Sequence, residues 1–296
     1  MHFYYFPSKK VMILWSEKCA CTSLVQWIKN NFEELSECQA RPRSFLYKNG
    51  YNYNSLDESK QFHLDNIPVD HLIISHRDPI KRMASSFVSK FLMRGDPAHI
   101  LPLKPKKLQR FSKEFLEIHH SLDNLKKQRV IKHNKIREFN FEATLFNLSL
   151  KKFITTLVNP MNDLIALNSH FSPQIINQEQ WTDFMHIVDH AKRVYPLRVE
   201  TFNQDLLKIN QCIGFDNHQI EKKNAIRLPN DQWKFSDEAE TSTYKTAKLC
   251  SLKLVPNGTS LQRLLESNSS LHLKFNDTFK YDYQLSQYLE KLSSPD

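Results

Sequence analysis

The chain has 296 residues, and 41 lysines and arginines outnumber 32 acidic residues to give a formal net charge of +9 at pH 7. Only four residues are glycine, and they lie far apart, whereas an average protein has roughly 7% glycine. This scarcity excludes the Walker A loop, the dinucleotide-binding fingerprint and the kinase glycine-rich loop, which all need closely spaced glycines. Any nucleotide phosphate bound by this chain must therefore meet other small residues at a tight turn.

The remaining composition is typical of a soluble globular protein, with 40% hydrophobic and 25% charged residues. No apolar run approaches the roughly 20 residues that span a bilayer, and the first residues lack the pattern of a secretory signal. The five cysteines are odd in number and form no Cys-x-x-Cys pair, so we expect neither a disulfide framework nor a zinc site. We therefore expect a cytoplasmic protein without a transmembrane segment.

The first predicted unit is a strand, a short loop and a helix. The apolar run Val11–Trp15 predicts a buried strand. Small and polar residues fill the following loop, and apolar residues then recur at helical spacing from Leu24 to Phe32. Thr22 or Ser23 is the expected N-cap of this helix.

A second unit of the same kind begins with the apolar run Leu72–Ser75. Asp78 and Pro79 follow it, and they suit the cap and the first turn of a helix. Apolar residues then recur at helical spacing from Ile80 to Phe91. Arg77 therefore lies at the mouth of this loop.

The excess positive charge is concentrated between Leu101 and Arg137, where the chain has eleven lysines and arginines against three acidic residues. We expect a basic, largely helical insertion around residues 95–140, followed by a helix over about residues 142–158. The charge run is either a solvated helix face or an electrostatic funnel for an anionic ligand. No nucleic-acid-binding motif accompanies it, so we expect no nucleic-acid partner.

The C-terminal half continues the alternation of strands and helices. Short apolar runs at residues 164–167 and 195–199 predict strands, and a helix is expected to follow the second. Further helical patterns lie around residues 261–265 and over about residues 271–289. This alternation predicts an α/β protein with a central parallel sheet and a single domain over residues 1–296.

Two of the loops predict an anion site, because ligands of open parallel sheets lie at the carboxyl ends of the strands. The first loop offers Lys18 next to a helix N-terminus, where backbone N–H groups favour anions. The second offers Arg77, and Ser85 lies about two helical turns beyond it, within reach of the same phosphate. Each loop alone is better explained as an ordinary turn.

Five blocks of the chain resemble, in order, the motifs of the carbohydrate sulfotransferases (sulfotransferase family 2). Glu17–Ser23 (EKCACTS) resembles the 5′-phosphosulfate loop, and Arg77–Phe91 (RDPIKRMASSFVSKF) resembles the 3′-phosphate motif. Three later blocks are similar to further family motifs: His170–Gln174 (HFSPQ), Val199–Leu206 (VETFNQDL) and Tyr281–Leu285 (YDYQL). The resemblance covers most of the chain and implies a three-layer α/β/α, P-loop-like nucleotide-binding fold.

The resemblance also implies a reaction without a metal, in which 3′-phosphoadenosine-5′-phosphosulfate (PAPS) provides a sulfuryl group to a hydroxyl of a saccharide or anionic glycan. Lys18 is then the cation that stabilises charge on the bridging oxygen in the transition state. Arg77 and Ser85 bind the 3′-phosphate, and Arg82 either assists them or forms a structural ion pair. The other residues of the 5′-phosphosulfate loop are Cys19, Ala20, Cys21, Thr22 and Ser23.

The acceptor hydroxyl needs a base that works near neutral pH, and histidine is the natural choice. His170 ranks first because it opens a family block at a predicted strand end. His63 and Glu200 are alternatives, and a purely structural role for His170 has equal weight.

The chain departs from the family pattern at Ala20, where glycine is usual and alanine is tolerable if φ stays negative. Phe171 replaces the usual tryptophan, and the anchor and cysteines of secretory-pathway members are missing, which indicates a bacterial-type relative and leaves the acceptor open.

Two other functions remain. One is a nucleotide-dependent phosphotransferase, disfavoured because no paired acids for Mg²⁺ stand out near the loops. The other is a non-catalytic protein of the same fold that binds sulfated or phosphorylated ligands.

Overall fold

The structure is a computed structural model that describes residues 1–35, 46, 52–53, 67–89, 149–159, 170–216, 231–237 and 252–293. The chain divides into two compact units, each assembled from separate segments. The first unit comprises Met1–Asp78, Gln174–Ala225 and Tyr281–Asp296, and the second comprises Pro79–Pro173 and Ile226–Lys280. The single-domain prediction stays a prediction. The predicted strand at 164–167, the basic insertion and His63 lie outside the described residues.

The architecture of the described residues is mixed α/β. The strands are β1 (His2–Phe6), β2 (Val11–Trp15), β3 (Asn52–Tyr53), β4 (Val69–His76), β5 (Ala191–Arg198), β6 (Lys234–Phe235) and β7 (Leu254–Val255). The helices are α1 (Cys21–Asn31), α2 (Pro79–Phe87), α3 (Leu150–Leu157), α4 (Gln178–His190), α5 (Phe202–Ile213), α6 (Gly258–Glu266), α7 (Ser269–Thr278) and α8 (Lys280–Ser293). Within the described ranges, no helix combines the length and apolar character needed to cross a membrane.

The sheet of the first unit has the strand order β3-β1-β2-β4-β5. β2, β4 and β5 are parallel, with Ile13 opposite Ile73 and Ile73 opposite Tyr195, which confirms the parallel pairing expected of the central strands. The side of the sheet formed by β3 and β1 differs from the prediction of a parallel sheet, because β1 pairs antiparallel with β2 and with β3. The chain between β1 and β2 is a short turn over residues 7–10, and such a turn can join only antiparallel strands.

Helices cover both faces of this sheet. On one face, the sheet residues Ile13 and Ile73 share a buried cluster with Leu24 of α1 and Leu206 of α5. On the other face, Met12, Leu14 and Ile74 pack in a second cluster with Phe184 of α4 and Leu285 of α8. All five residues of β2 are buried, as expected for a strand with helices on either side. The first unit therefore has three layers.

Several element boundaries differ from the sequence expectations. α1 begins at Cys21, so the residue in the N-cap position is Ala20, whose side chain makes no capping hydrogen bond. The expected caps Thr22 and Ser23 were wrong, since both lie in the first helical turn. α2 begins at Pro79 as predicted. The helical pattern expected at 271–289 is two helices, α7 and α8, separated at Phe279.

The second unit contains α2, α3, α6, α7 and the short turn 170–173. Phe153 of α3 joins its core, with its ring centroid 5.4 Å from that of Phe87 and 5.3 Å from that of Phe171. α6 begins close against α2, since a Cβ added at Gly258 would lie 2.9 Å from Cγ of Lys81. A side chain at this position would therefore push the two helices apart.

Candidate functional site

The first loop of the candidate site runs from Ser16 to Ala20, between β2 and α1. The amide of Cys19 donates to the carbonyl of Ser16 at 3.2 Å, which closes a tight turn. Lys18 has a φ of 67° and Ala20 a φ of 56°, so two non-glycine residues take the left-handed conformation. The turn ends at the N-terminus of α1, where the helix carries a partial positive charge.

The conformation of Ala20 corrects one expectation from the sequence. The sequence comparison allows an alanine at this position only with a negative φ, but φ is 56° and ψ is 23°. The left-handed region costs an alanine about 1 kcal/mol or more, whereas glycine enters it freely. The local backbone is therefore the one that the glycine of the family motif would favour.

The second loop follows β4 and approaches the first loop directly. Nη1 of Arg77 donates to the carbonyl oxygen of Lys18 at 3.4 Å. The hydroxyl of Ser75 donates to the carbonyl oxygen of Cys19 at 2.6 Å. Because β2 and β4 are adjacent parallel strands, their two loops meet at the same sheet edge. The loops that carry Lys18 and Arg77 are therefore neighbours at one edge of the sheet, and the ligand-binding roles of the two residues stay predictions.

Glu200 lies at the same edge of the sheet, two residues after the end of β5. Its Oε1 is 3.9 Å from Nε of Arg77, and both side chains are partly exposed. The turn that carries Glu200 is fixed by Asp205, whose carboxylate accepts hydrogen bonds from Nη2 of Arg198 at 2.8 Å and from the hydroxyl of Thr201 at 2.9 Å. The structure thus places Glu200 beside Arg77 and gives Asp205 of the fourth block a supporting role.

Gln174 joins the loops through its side chain, and sequence reasoning assigned it no role. Its Oε1 accepts from the amide of Arg77 at 3.3 Å and from Sγ of Cys19 at 3.4 Å. Its Nε2 donates to the carbonyl of Ser75 at 3.1 Å. Gln174 is completely buried. The signal that could have found it is its place at the end of the third sequence block.

Asp282, in the fifth block, holds the main chain at Gln174. Its Oδ1 accepts from the amide of Gln174 at 2.6 Å and from that of Ile175 at 3.3 Å. On the next turn of α8, the hydroxyl of Ser286 lies 2.7 Å from Nε2 of His76, the residue before Arg77. Parts of all five sequence blocks therefore contribute to this edge of the first unit.

Tyr283 is a titratable group close to this network. Burial raises the pKa of its phenol, and the carboxylates of Asp78 and Asp282 raise it further. The phenol therefore stays protonated at neutral pH, which makes Tyr283 unsuitable as a general base there.

The second unit contains the predicted residues Ser85, Arg82 and His170. The hydroxyl of Ser86 donates to the carbonyl of His170 at 2.8 Å, and Nη1 of Arg82 donates to the carbonyl of Ser172 at 2.6 Å. Arg82 is completely buried, and its guanidinium carbon lies 5.8 Å from the ring centroid of Phe279. α2 therefore supports the turn that carries His170. The ligand-binding roles of Ser85 and Arg82 stay predictions.

No family model, curated protein or solved structure matches this chain. The described residues also contain no cluster of three histidine, cysteine or acidic side chains arranged to hold a metal ion. The resemblance to the carbohydrate sulfotransferases thus rests on the five sequence blocks, and the function derived from it is a proposal.

Proposed function

We propose that this protein is a sulfotransferase that transfers the sulfuryl group of PAPS to a hydroxyl of a saccharide or anionic glycan. The observation that carries the proposal is the contact between Arg77 and Lys18, since Nη1 of Arg77 lies 3.4 Å from the Lys18 carbonyl oxygen. Two loops bearing cationic residues thus meet beside the N-terminus of α1. Donors of this kind suit the phosphates of an anionic nucleotide.

The residues at this edge fit such a ligand in their chemistry. The left-handed turn at Lys18 and Ala20 leads into the first turn of α1, where the amides of Cys21, Thr22 and Ser23 favour a phosphate. The guanidinium of Arg77 offers several N–H donors in a planar fork that matches phosphate oxygens. PAPS supplies the activated sulfuryl group when it is bound.

The chain's own residues have three tasks in the proposed reaction. Lys18 stabilises the negative charge that develops on the leaving phosphate oxygen as the new bond from the acceptor oxygen to sulfur forms. Arg77 and Ser85 bind the 3′-phosphate, which distinguishes PAPS from adenylyl sulfate and ATP. His170 takes the proton of the acceptor hydroxyl, with Glu200 as the alternative base.

Calorimetry with adenosine 3′,5′-bisphosphate and with AMP tests the proposal. We expect the bisphosphate to bind at least about tenfold more tightly than AMP, because only the bisphosphate has a 3′-phosphate that can accept charge-assisted hydrogen bonds. Equal affinities would remove Arg77 and Ser85 from the proposed roles. A screen of hydroxyl acceptors with radiolabelled PAPS then identifies the acceptor.

A non-catalytic anion-binding protein is the second candidate function, and the conformation of Ala20 favours it. At a φ of 56°, a methyl group occupies the position where the family motif has glycine and where the backbone approaches its ligand. Tight binding of the bisphosphate without sulfate transfer to any acceptor in the screen would favour this candidate.

A further inference from the structure

One buried amide contacts both cation-bearing loops of the first unit. The side chain of Gln174 accepts a hydrogen bond from the Arg77 amide at 3.3 Å and from Cys19 Sγ at 3.4 Å. It also donates to the Ser75 carbonyl at 3.1 Å. We propose that Gln174, held by Asp282, is a positioning residue that sets the spacing between the Lys18 loop and Arg77. The choice of a nucleotide as the ligand that tests this inference rests on the proposed function.

The chemistry of these contacts requires glutamine. A backbone N–H and a thiol need an acceptor, whereas the Ser75 carbonyl needs a donor, and an amide provides both at its two ends. A glutamate carboxylate has no donor for the carbonyl, and an aliphatic side chain of similar length has neither group. Because Gln174 is completely buried, water cannot replace the lost bonds easily.

Asp282 fixes the backbone from which this side chain extends. Its carboxylate is completely buried, and one oxygen accepts from the amides of Gln174 and Ile175 at 2.6 Å and 3.3 Å. The position of the Gln174 amide therefore depends on α8, and the position of the two loops depends on Gln174. A shift of the loops by even an ångström would misplace both cations relative to one ligand.

Gln174→Met tests the inference, because methionine matches the length of glutamine and makes none of its hydrogen bonds. Gln180→Met is the matched control: the Gln180 amide accepts from the Ile176 amide at 3.1 Å in the same segment of chain. The first measurement is the ratio of the affinities for adenosine 3′,5′-bisphosphate and AMP. We expect Gln174→Met to lower this ratio at least tenfold and the control to leave it within twofold.

The second measurement needs no nucleotide and follows thiol alkylation by mass spectrometry. Cys19 is completely buried against Gln174, whereas Cys21 is partly exposed. We expect Gln174→Met to raise the alkylation rate of Cys19 relative to Cys21 at least tenfold. A general loss of stability would also open the buried Cys19 more than the already accessible Cys21, so Ile209→Ala, a change in the buried core of the first unit, serves as a second control. A rise in the ratio beyond that of this core variant separates a local positioning role from a general loss of stability.

The outcomes distinguish the inference from the proposed function. If the wild-type protein shows no preference for the bisphosphate, the proposed function fails, and the Cys19-to-Cys21 ratio alone decides the inference. If neither ratio differs between Gln174→Met and the control, the inference is overturned. Should Gln174→Met not fold, Gln174→Glu replaces it, since it keeps the acceptor and loses only the donor to Ser75. An unchanged Cys19-to-Cys21 ratio in that variant also overturns the inference.

Discussion

The Ser75 hydroxyl donates a 2.6 Å hydrogen bond to the Cys19 carbonyl oxygen. Both residues are completely buried, so this bond ties the end of β4 to the middle of the left-handed turn after β2. The turn contains two non-glycine residues with positive φ, and a contact from the neighbouring strand helps to hold a backbone that its own residues do not favour.

Ser75→Ala is expected to destabilise the protein by about 1–3 kcal/mol, because it leaves the buried Cys19 carbonyl without this donor. Chemical denaturation measures the free energy of unfolding. Thr182→Ala is the control, since that hydroxyl is exposed and donates to the Gln178 carbonyl of its own helix. Equal stabilities of the two variants would contradict the role given to Ser75.

Ala20→Gly is expected to stabilise the protein slightly. Glycine avoids the cost of about 1–2 kcal/mol for a side chain in the left-handed region, and the greater freedom of the unfolded chain offsets about 0.4–1 kcal/mol of that gain. Ala84→Gly, at a buried position inside α2, should destabilise instead. A clear loss of stability in Ala20→Gly would show that the turn does not favour glycine.

Lys18→Ala is expected to reduce turnover about 100-fold or more, while the affinity for adenosine 3′,5′-bisphosphate falls much less. The reason is that a cation at the leaving oxygen stabilises the transition state more than the bound product. Lys208→Ala, on the exposed surface of α5, should change neither quantity. An unchanged rate would remove Lys18 from the chemistry.

Ser85 and Ser86 are neighbours on α2 with different expected roles. Ser86→Ala removes the 2.8 Å hydrogen bond to the His170 carbonyl, so it should lower turnover and leave the affinity for the bisphosphate within about twofold. Ser85→Ala should lower the affinity for the bisphosphate about tenfold and leave the affinity for AMP unchanged, since the variant loses one charge-assisted hydrogen bond to the 3′-phosphate. Rate and affinity measurements on both variants test the pair, and a reversed pattern would exchange the two roles.

His71 makes stability depend on pH at the opposite end of β4. Burial lowers the pKa of its imidazole; Asp70 opposes this shift, and Arg193 and Lys192 reinforce it. The unfolded chain therefore takes up the proton first, near its usual pKa of about 6.5. The contribution of His71 to the free energy of unfolding is fully present above that pH and is lost as the pH falls below it.

His71→Gln should accordingly flatten the loss of stability between about pH 7 and pH 5. Urea unfolding at a series of pH values measures the difference between the variant and the wild type. The other ionisable groups are the same in both proteins, so their contributions cancel in this comparison. Parallel pH profiles would mean that His71 titrates alike in the folded and unfolded chain.

Local sequence was sufficient to predict the two strand–loop–helix units. The apolar run Val11–Trp15 is β2, and the Asp78-Pro79 pair marks the start of α2. Strand burial and helix initiation depend on side chains within a few residues, so their signal is readable along the chain. Because adjacent parallel strands end at one edge, the sequence also indicated that the loops of Lys18 and Arg77 belong together.

Tertiary structure alone decided two other features. The positive φ of Ala20 and the hydrogen bonds of Gln174 depend on partners or packing that no local pattern specifies. Asp282 is 108 residues from Gln174 along the chain, and Gln174 is 155 residues from Cys19. A buried hydrogen bond over such a separation forms only when the sheet and its helices bring the two groups together, so the residues that position the loops became visible only in the fold.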